Sequence, residues 1–245
     1  MPHTHPWVTI IIPVYNEGTV IAQTVARVVS FLAQTEFPYS YDLCVVDNAS
    51  TDDTWRKIEQ LSRTHPTVTG LHLKEKGKGR AIRAGWAQAR GDILTFMDAD
   101  LSSDLASFRA LTDAVALGEA DLAMGNRLGV HSKIVTKKRF RKVASRIYNA
   151  LTRAFLHTGI DDHQCGFKAM SADAFKALAP ELTETGFFFD TELIALARKH
   201  GFRIHQEDII WIDVPASKVS LVSDSLNMFW SVLRLARRLH AHDPA

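Results

Sequence analysis

"DILTFMDADLSSD", Asp92 to Asp104, is an apolar run of strand length that ends in two carboxylates one residue apart, followed by residues suited to starting a helix. Short apolar runs bounded by polar residues read as buried strands. Asp98 and Asp100, at i and i+2 of an extended chain, fall on one face. Like charges about 4 Å apart repel by about 4 kcal/mol at the effective dielectric near a protein surface, so a cation is expected between them. Magnesium and manganese fit, because they take one or two carboxylates and fill their other positions with water and phosphate oxygens. The competing reading is a solvated strand end with a helix cap from Ser102, Ser103 or Asp104. Context has to choose.

Outward from this stretch the same pattern recurs. Residues 7–14 (WVTIIIPV), 41–47 (YDLCVVD), 68–73 (VTGLHL), 92–98 (DILTFMD) and 120–126 (ADLAMGN) read as buried strands. Helical periodicity falls between them at 19–34, 52–64, 78–90 and 104–117. Such alternation predicts an α/β fold with a mainly parallel sheet covered by helices on both faces. Ligands of these sheets bind outside the carboxyl ends of the strands, so the strand ends are where function should be sought.

The 245 residues, 46% of them hydrophobic and 23% charged, suit one large globular domain. A net charge of +2 gives no reason to expect a nucleic-acid partner. Two cysteines, Cys44 and Cys165, offer neither zinc spacing nor a disulfide framework, the pattern of a reducing compartment. The leading MPHTHPW lacks the regions of a signal peptide, and no apolar stretch is long enough to cross a bilayer.

The first strand ends in PVYNE, where Tyr15 could stack on a base and Glu17 accept hydrogen bonds, or the segment could be a plain turn. The second ends in VVDNASTDDT. Asp47 is its candidate for a base or ribose, whereas Asp52 and Asp53 read as helix caps. After the third strand comes KEKGKGRAIRAG, residues 74–85. Gly77 and Gly79 would let the backbone approach a ligand, the helix start would offer N–H groups, and Lys76, Lys78 and Arg80 would add charge for a diphosphate. Its spacing matches neither a dinucleotide fingerprint nor a Walker loop.

In this order and spacing, PVYNE, VVDNASTDDT, KGKGRAIRAG and MDADLS resemble the family 2 glycosyltransferases. The resemblance implies a GT-A fold: a single Rossmann-like α/β domain with a mainly parallel central sheet. It further implies that the DXD aspartates, Asp98 and Asp100, hold Mg2+ or Mn2+ and act in catalysis. Pro13, Val14, Tyr15, Glu17, Asp47, Lys78, Gly79, Asp98 and Ala99 would then line the nucleotide-sugar site. The second half, with MGNRL from Met124, RFRKVASRIYNALTR from Arg139, DDHQCGFKAM from Asp161, GFFFDTELIALARKHGFRI from Gly186 and DSLNMFW from Asp224, resembles the polyprenyl-phosphate branch that includes dolichyl-phosphate mannose and glucose synthases. The activity this implies is inverting transfer of a hexose from GDP-mannose or UDP-glucose to a polyprenyl phosphate. Arg127, Arg139, Arg141, Ser145 and Lys218 would grip the acceptor phosphate, with Arg127 also counted as catalytic. Asp190 matches a residue near the sugar, with a helix N-cap as its plain alternative. Ser102 to Asp104 depart from the glutamine or Ser-Thr-Pro run of several relatives, so the resemblance supplies no third metal ligand.

The residues themselves favour that acceptor. KIVTKKRFRKVASR, residues 133–146, carries seven Lys or Arg and leads into an apolar stripe through Val143, Ile147, Leu151 and Phe155. Basic residues beside such a stripe suit anionic headgroups; the stripe could equally be core. A phosphate monoester is mostly dianionic at neutral pH, so no strong general base is required. Cys165 and the histidines, His163 and His205 among them, read as packed or ordinary polar residues. The expected organisation is a catalytic domain over 1–220 and an amphipathic helix and tail over 221–245. In that tail Leu226, Phe229, Trp230, Leu233 and Leu239 lie near one face, and the helix would be interfacial or docked on the domain. Where many relatives carry transmembrane helices this chain stops. It is therefore expected in the cytoplasm, peripheral at the cytoplasmic membrane face or held there by a membrane-protein partner. The alternatives are a transferase acting on a sugar or protein hydroxyl, and a non-catalytic nucleotide-sugar-binding module.

Overall fold

The computed structural model describes residues 6–135, 139–212 and 221–240, with the side chains of 139–145, 221–227, 229 and 240 outside that description. In β1 (Trp7–Val14) the β-branched run is buried on both faces, as central strands of covered parallel sheets are. It pairs in parallel with β2 (Ser40–Asn48) on one side and β4 (Ile93–Met97) on the other, and β2 pairs with β3 (Val68–Leu73). Helices α1 (Ile21–Gln34), α2 (Thr54–Thr64), α3 (Lys78–Gln88) and α4 (Ser107–Ala116) connect and cover these strands. Each expected strand and helix of this half is present, differing by a few residues at its ends.

The second half is less regular. It runs β5 (Leu122–Asn126), β6 (Lys133–Val135), α5 (Arg139–Leu156), β7 (Phe167–Ser171), α6 (Ala172–Leu178), α7 (Phe189–Lys199), β8 (Ile204–Asp208), β9 (Ile210–Ile212) and α8 (Leu221–His240). The main sheet has seven strands in the order β3-β2-β1-β4-β7-β5-β8, and β6 and β9 form a separate parallel pair. Strand β7 is antiparallel to both neighbours; the other pairings in the sheet are parallel.

Side chains of alternating parity build two cores. Val8, Ile10 and Ile12 pack with α1 and α4 on one face; Ile11, Leu94 and Phe96 pack with α3, α6 and α7 on the other. Each such fully buried aliphatic or aromatic side chain is worth about 1.5–3 kcal/mol. A third cluster joins Leu156 of α5, Phe188 and Ala195, and Val232, Leu235 and Ala236 of α8.

One expected face is redrawn, and one left open is decided. In α8 the domain takes Val232, Leu235 and Ala236, while Trp230 is 64% exposed; the docked face is rotated from the one drawn through Trp230 and Leu233. Among the described side chains of α5 the buried positions are Asn149, Thr152 and Leu156, whereas Ile147 and Phe155 of the apolar stripe face outward, 56% and 39% exposed. Polar Asn149 can be internal because its side-chain oxygen accepts from the His163 backbone N–H at 2.9 Å and from the ring at 3.1 Å.

The chain starts at β1, moves out to β2 and β3, then returns to β4 on the other side of β1. That reversal opens a crevice at the carboxyl ends of β1 and β4, into which Tyr15–Glu17 and Asp98–Asp100 follow.

Candidate active site

Pairing of β4 with β1 stops at Phe96 and with β7 at Met97, so Asp98 to Leu101 form a turn, with the Leu101 N–H donating to the Asp98 carbonyl at 3.1 Å. Leu101 sits at φ 48°, in the left-handed region. The Ser102 N–H donates to Asp100 Oδ1 at 3.0 Å, and the Thr24 hydroxyl of α1 donates to the Ala99 carbonyl at 2.8 Å. The two carboxylates are therefore placed by a braced turn rather than by the pleat of an extended strand, which corrects the same-face argument. Gly166 lies against this turn: its carbonyl accepts from the Asp98 N–H at 3.1 Å. A Cβ at position 166 would fall 1.9 Å from Asp98 Oδ2, so only glycine leaves room for the carboxylate.

Around Asp98 the charges form a ladder. The Lys78 ammonium is 2.8 Å from Asp98 Oδ1 and 3.4 Å from Asp190 Oδ2. The other Asp190 oxygen meets the Lys168 ammonium, which also donates to the Cys165 carbonyl at 2.6 Å. Lys168 and Asp190 are buried, Lys78 is 12% exposed and Asp98 44%. Desolvation raises the Asp98 pKa; attraction to Lys78 opposes this, and the charges of Asp100 and Asp190 add to the rise. Burial works against the Lys78 ammonium, but Asp190 and Asp98 overcome it and raise its pKa. Asp190 lies within the first turn of α7 and does not cap it; the N-cap is Phe188.

The donor set fits a hard divalent cation. Asp98 and Asp100 present carboxylate oxygens close enough for the second charge to act on the first, and Ser102, two residues on, has a buried hydroxyl with no hydrogen-bond partner among the described residues. Among the described residues no group of three His, Cys, Asp or Glu could enclose a metal. Two carboxylates with a free hydroxyl nearby suit Mg2+ or Mn2+, which take one or two carboxylates and keep positions for water and substrate phosphate.

The glycine-rich segment is differently occupied than expected. The Gly77 N–H donates to Asn48 Oδ1 at 2.6 Å, Gly79 N–H to the Gly186 carbonyl at 3.2 Å and Arg80 N–H to the Thr185 carbonyl at 3.1 Å. The helix start is thus stitched to the loop before α7, and these N–H groups are not open to a phosphate. A Cβ at Gly79 would fall 2.5 Å from that of Phe189, so the close approach this glycine permits is to α7. The charged residues are engaged too: Lys76 lies 3.8 Å from the Tyr15 ring centroid, and Arg80 pairs with Glu75.

On the nucleoside side, Asp47 is fully buried, its Oδ2 2.7 Å from His72 Nδ1 and its Oδ1 accepting from the Ser50 N–H at 3.3 Å. Pro13 and Val14 end β1. The loops after β1 and β2 are cross-linked: Asn16 N–H donates to Ser50 Oγ and Thr51 N–H to Asn16 Oδ1, both at 2.8 Å. The N-cap of α2 is Asp53, whose side chain makes no capping hydrogen bond; Asp52, one residue before it, accepts from the Thr54 N–H at 3.0 Å. Glu17 follows β1 into the same crevice, its carbonyl accepting from the Ile21 N–H at 2.9 Å.

Arg127 follows β5 and forms a fork with buried Asp162, Nε to Oδ2 at 2.6 Å and Nη2 to Oδ1 at 2.8 Å. Its guanidinium carbon is 5.5 Å from the Trp211 ring centroid. Burial alone would raise the Asp162 pKa, but the guanidinium more than offsets this and holds it below the usual carboxylate range. Of the other expected acceptor residues, Arg139, Arg141 and Ser145 lie on α5 with side chains outside the described residues, and Lys218 lies outside them altogether. Sequence reasoning missed Lys168, Asp162, Gly166 and Thr24. Lys168 was the detectable one, a lone charge in the apolar GFKAM. Cys165 is packed as expected, burial pushing its thiol up to about 12, but His163 is a core residue rather than an ordinary polar one.

Comparison with known proteins accords with this geometry. The model of "Glycosyl transferase family 2" matches residues 9–179. Glycosyltransferase AglD of Haloferax volcanii is 34% identical over 93% of this chain, which spans only 36% of that protein's length. A dolichyl-phosphate beta-glucosyltransferase of Saccharomyces cerevisiae is 30% identical over 91% of this chain and 72% of its own. A dolichol-phosphate mannosyltransferase of Pyrococcus furiosus is 31% identical over 76% and 52%. Crystal structures of glucosyl-3-phosphoglycerate synthase from Mycobacterium tuberculosis share the fold; the complex with UDP has a TM-score of 0.69 at 20% identity, covering 98% of this chain and 82% of that one. With a GT-A architecture and a family match over most of its length, this chain belongs to glycosyltransferase family 2, in its polyprenyl-phosphate branch.

Proposed function

We propose that the protein transfers a hexose from a nucleotide sugar to a polyprenyl phosphate of the dolichyl type, with inversion at the anomeric carbon and with Mg2+ or Mn2+. The observation that carries the lipid acceptor is the outward apolar stripe of α5, with Ile147 and Phe155 exposed, in the helix that begins with Arg139 and Arg141. Exposed Trp230 on α8, which packs against α5, adds an aromatic of the kind that favours a membrane interface. The named activities of the yeast and Pyrococcus relatives support the same reading.

In this reading Pro13, Val14, Tyr15, Glu17, Asp47 and Ala99 line the nucleotide-sugar pocket, and Asp98 and Asp100 hold the cation. When bound, the cation would draw charge from the departing diphosphate. Lys78 and Gly79 lie beside the diphosphate, with the ammonium offering a second positive charge. The acceptor phosphate, already dianionic, attacks in line, so positioning and electrostatics carry the rate and no residue has to remove a proton. Arg127 keeps Nη1 outside its fork with Asp162, and with Arg139, Arg141, Ser145 and Lys218 it orients that phosphate. Each charge-assisted hydrogen bond there is worth about 1.5–3 kcal/mol. Among the described residues no helix is long and apolar enough to cross a membrane; attachment is proposed to be peripheral at the cytoplasmic face, alone or with a membrane protein.

The test is a transfer assay with a short-chain polyprenyl phosphate, Mn2+ or Mg2+ and radiolabelled UDP-glucose or GDP-mannose, followed by lipid extraction. Labelled lipid from one donor, lost in EDTA and in Asp100→Ala, is expected. Donor hydrolysis or binding without labelled lipid would move the acceptor to a hydroxyl, and full activity in EDTA would end the metal assignment.

A further inference from the structure

The ladder Asp98–Lys78–Asp190–Lys168 contains more charge than anchoring a helix requires. Lys168 is completely buried and fixed by Asp190 and the Cys165 carbonyl. Asp190 therefore has one oxygen committed to Lys168 and the other turned to Lys78. Lys78, in the first turn of α3, has a backbone fixed by the bonds from Gly79 and Arg80 to the loop before α7. Its ammonium bridges the two acids, nearer to Asp98 at 2.8 Å than to Asp190 at 3.4 Å. Asp98 is the only one of the four side chains substantially open, so the outer end of the ladder is the one a solution ion can reach.

We infer that Lys78 is a tethered counter-ion that occupies Asp98 in place of the divalent cation, and that Lys168 and Asp190 are positioning residues that keep it within reach of both states. This rests on the proposal that Asp98 and Asp100 form the metal site. When a cation enters, the ammonium gives up Asp98 but keeps Asp190, which prevents its release into solvent and leaves it beside the diphosphate. Cation entry is thus an exchange of one positive charge for another at Asp98. The carboxylate pair is never left uncompensated, and metal affinity without nucleotide is set low by the competing ammonium.

The exchange predicts an unusual direction for a binding-site variant. A positive charge a few ångströms from the cation opposes its binding, so Lys78→Met should bind Mn2+ about tenfold more tightly than wild type in the absence of nucleotide. Lys78→Gln, which keeps a hydrogen-bond donor without the charge, should do the same, and Lys78→Arg should stay near wild type. The readout is free Mn2+ by electron paramagnetic resonance at fixed pH and salt, on protein whose circular dichroism matches wild type. Unchanged or weaker Mn2+ binding by the folded neutral variants overturns the inference; having two of them guards against one misfolding. Asp98→Asn separates the two levels. If it binds Mn2+ as wild type does, the metal assignment itself is wrong; if it loses Mn2+ while the Lys78 variants gain none, only the exchange is wrong.

Discussion

A single hydrogen atom decides the position of Asp98. Because a methyl at residue 166 would lie 1.9 Å from Asp98 Oδ2, Gly166→Ala must push the carboxylate aside. The φ of Gly166 is not in the left-handed region, so the backbone tolerates alanine. Transfer is expected to fall by roughly a hundredfold, the scale of an ångström-sized misplacement, with melting temperature little changed; wild-type turnover would show that the carboxylate adapts. Asp162→Ala acts on stability instead. It leaves the Arg127 guanidinium, 17% exposed, without its buried partner, a loss of about 3 kcal/mol, the lower end for a buried pair, to be read as a lower urea midpoint. At this scale the sequence exposes what stands at the end of an apolar run: Asp98, Asp100 and Asp47 all did. Asp162 and Gly166 carry no such mark. Their roles come from neighbours distant in the chain, and QCG reads like any turn.

Among the elements, α8 has a task beyond covering α5 and α7. Arg238 donates to Glu192 Oε1 at 2.7 Å and to the Thr183 hydroxyl at 2.6 Å, and the buried Glu192 carboxylate also accepts the N–H groups of Thr183 and Glu184. Residues 183–186 in turn hold the start of α3 through the carbonyls of Thr185 and Gly186. Arg238→Ala is expected to speed amide exchange of Gly79 and Arg80 by about tenfold, the scale of one lost hydrogen bond. Unchanged exchange there would limit α8 to local packing. The elements of the first half were legible because β1 to β5 are apolar runs separated by amphipathic helices. Strand β8, Ile204–Asp208, is a half-buried edge strand of mixed polarity, and β7 carries Lys168 as its second residue and ends in Ser171; neither shows the apolar continuity by which buried strands are found. The α5 stripe was legible as a face, but apolar spacing alone left open whether it meets the core or lies outward, as Ile147 and Phe155 do.

For the whole molecule, acid stability depends on a histidine. His163 is buried, and because Asn149 Oδ1 accepts from its backbone, the ring Nδ1 must donate there while Nε2 accepts from Thr158 at 2.7 Å. Desolvation lowers its pKa to about 4, from 6.5. Between those values the unfolded chain binds the extra proton, so stability is complete above pH 6.5 and falls as pH drops toward 4. The loss is about 3 kcal/mol. Asp162, with its lowered pKa, adds a further loss in stronger acid as it protonates. Urea midpoints between pH 7 and 4.5 should follow this slope in wild type and flatten in His163→Gln; equal slopes would remove His163 as the cause.

The order in which the sheet is made differs from the order in which it closes. Both neighbours of β5 in the sheet, β7 and β8, are later in the chain. On the ribosome β1 to β4 can already pair, but the newly made strand leading to Arg127 has no ladder to join until Phe167 emerges. A product truncated before β7 would leave β4 open along one edge and β5 open along both. Translation across α5 is therefore the interval in which a nascent chain of this protein most needs a chaperone.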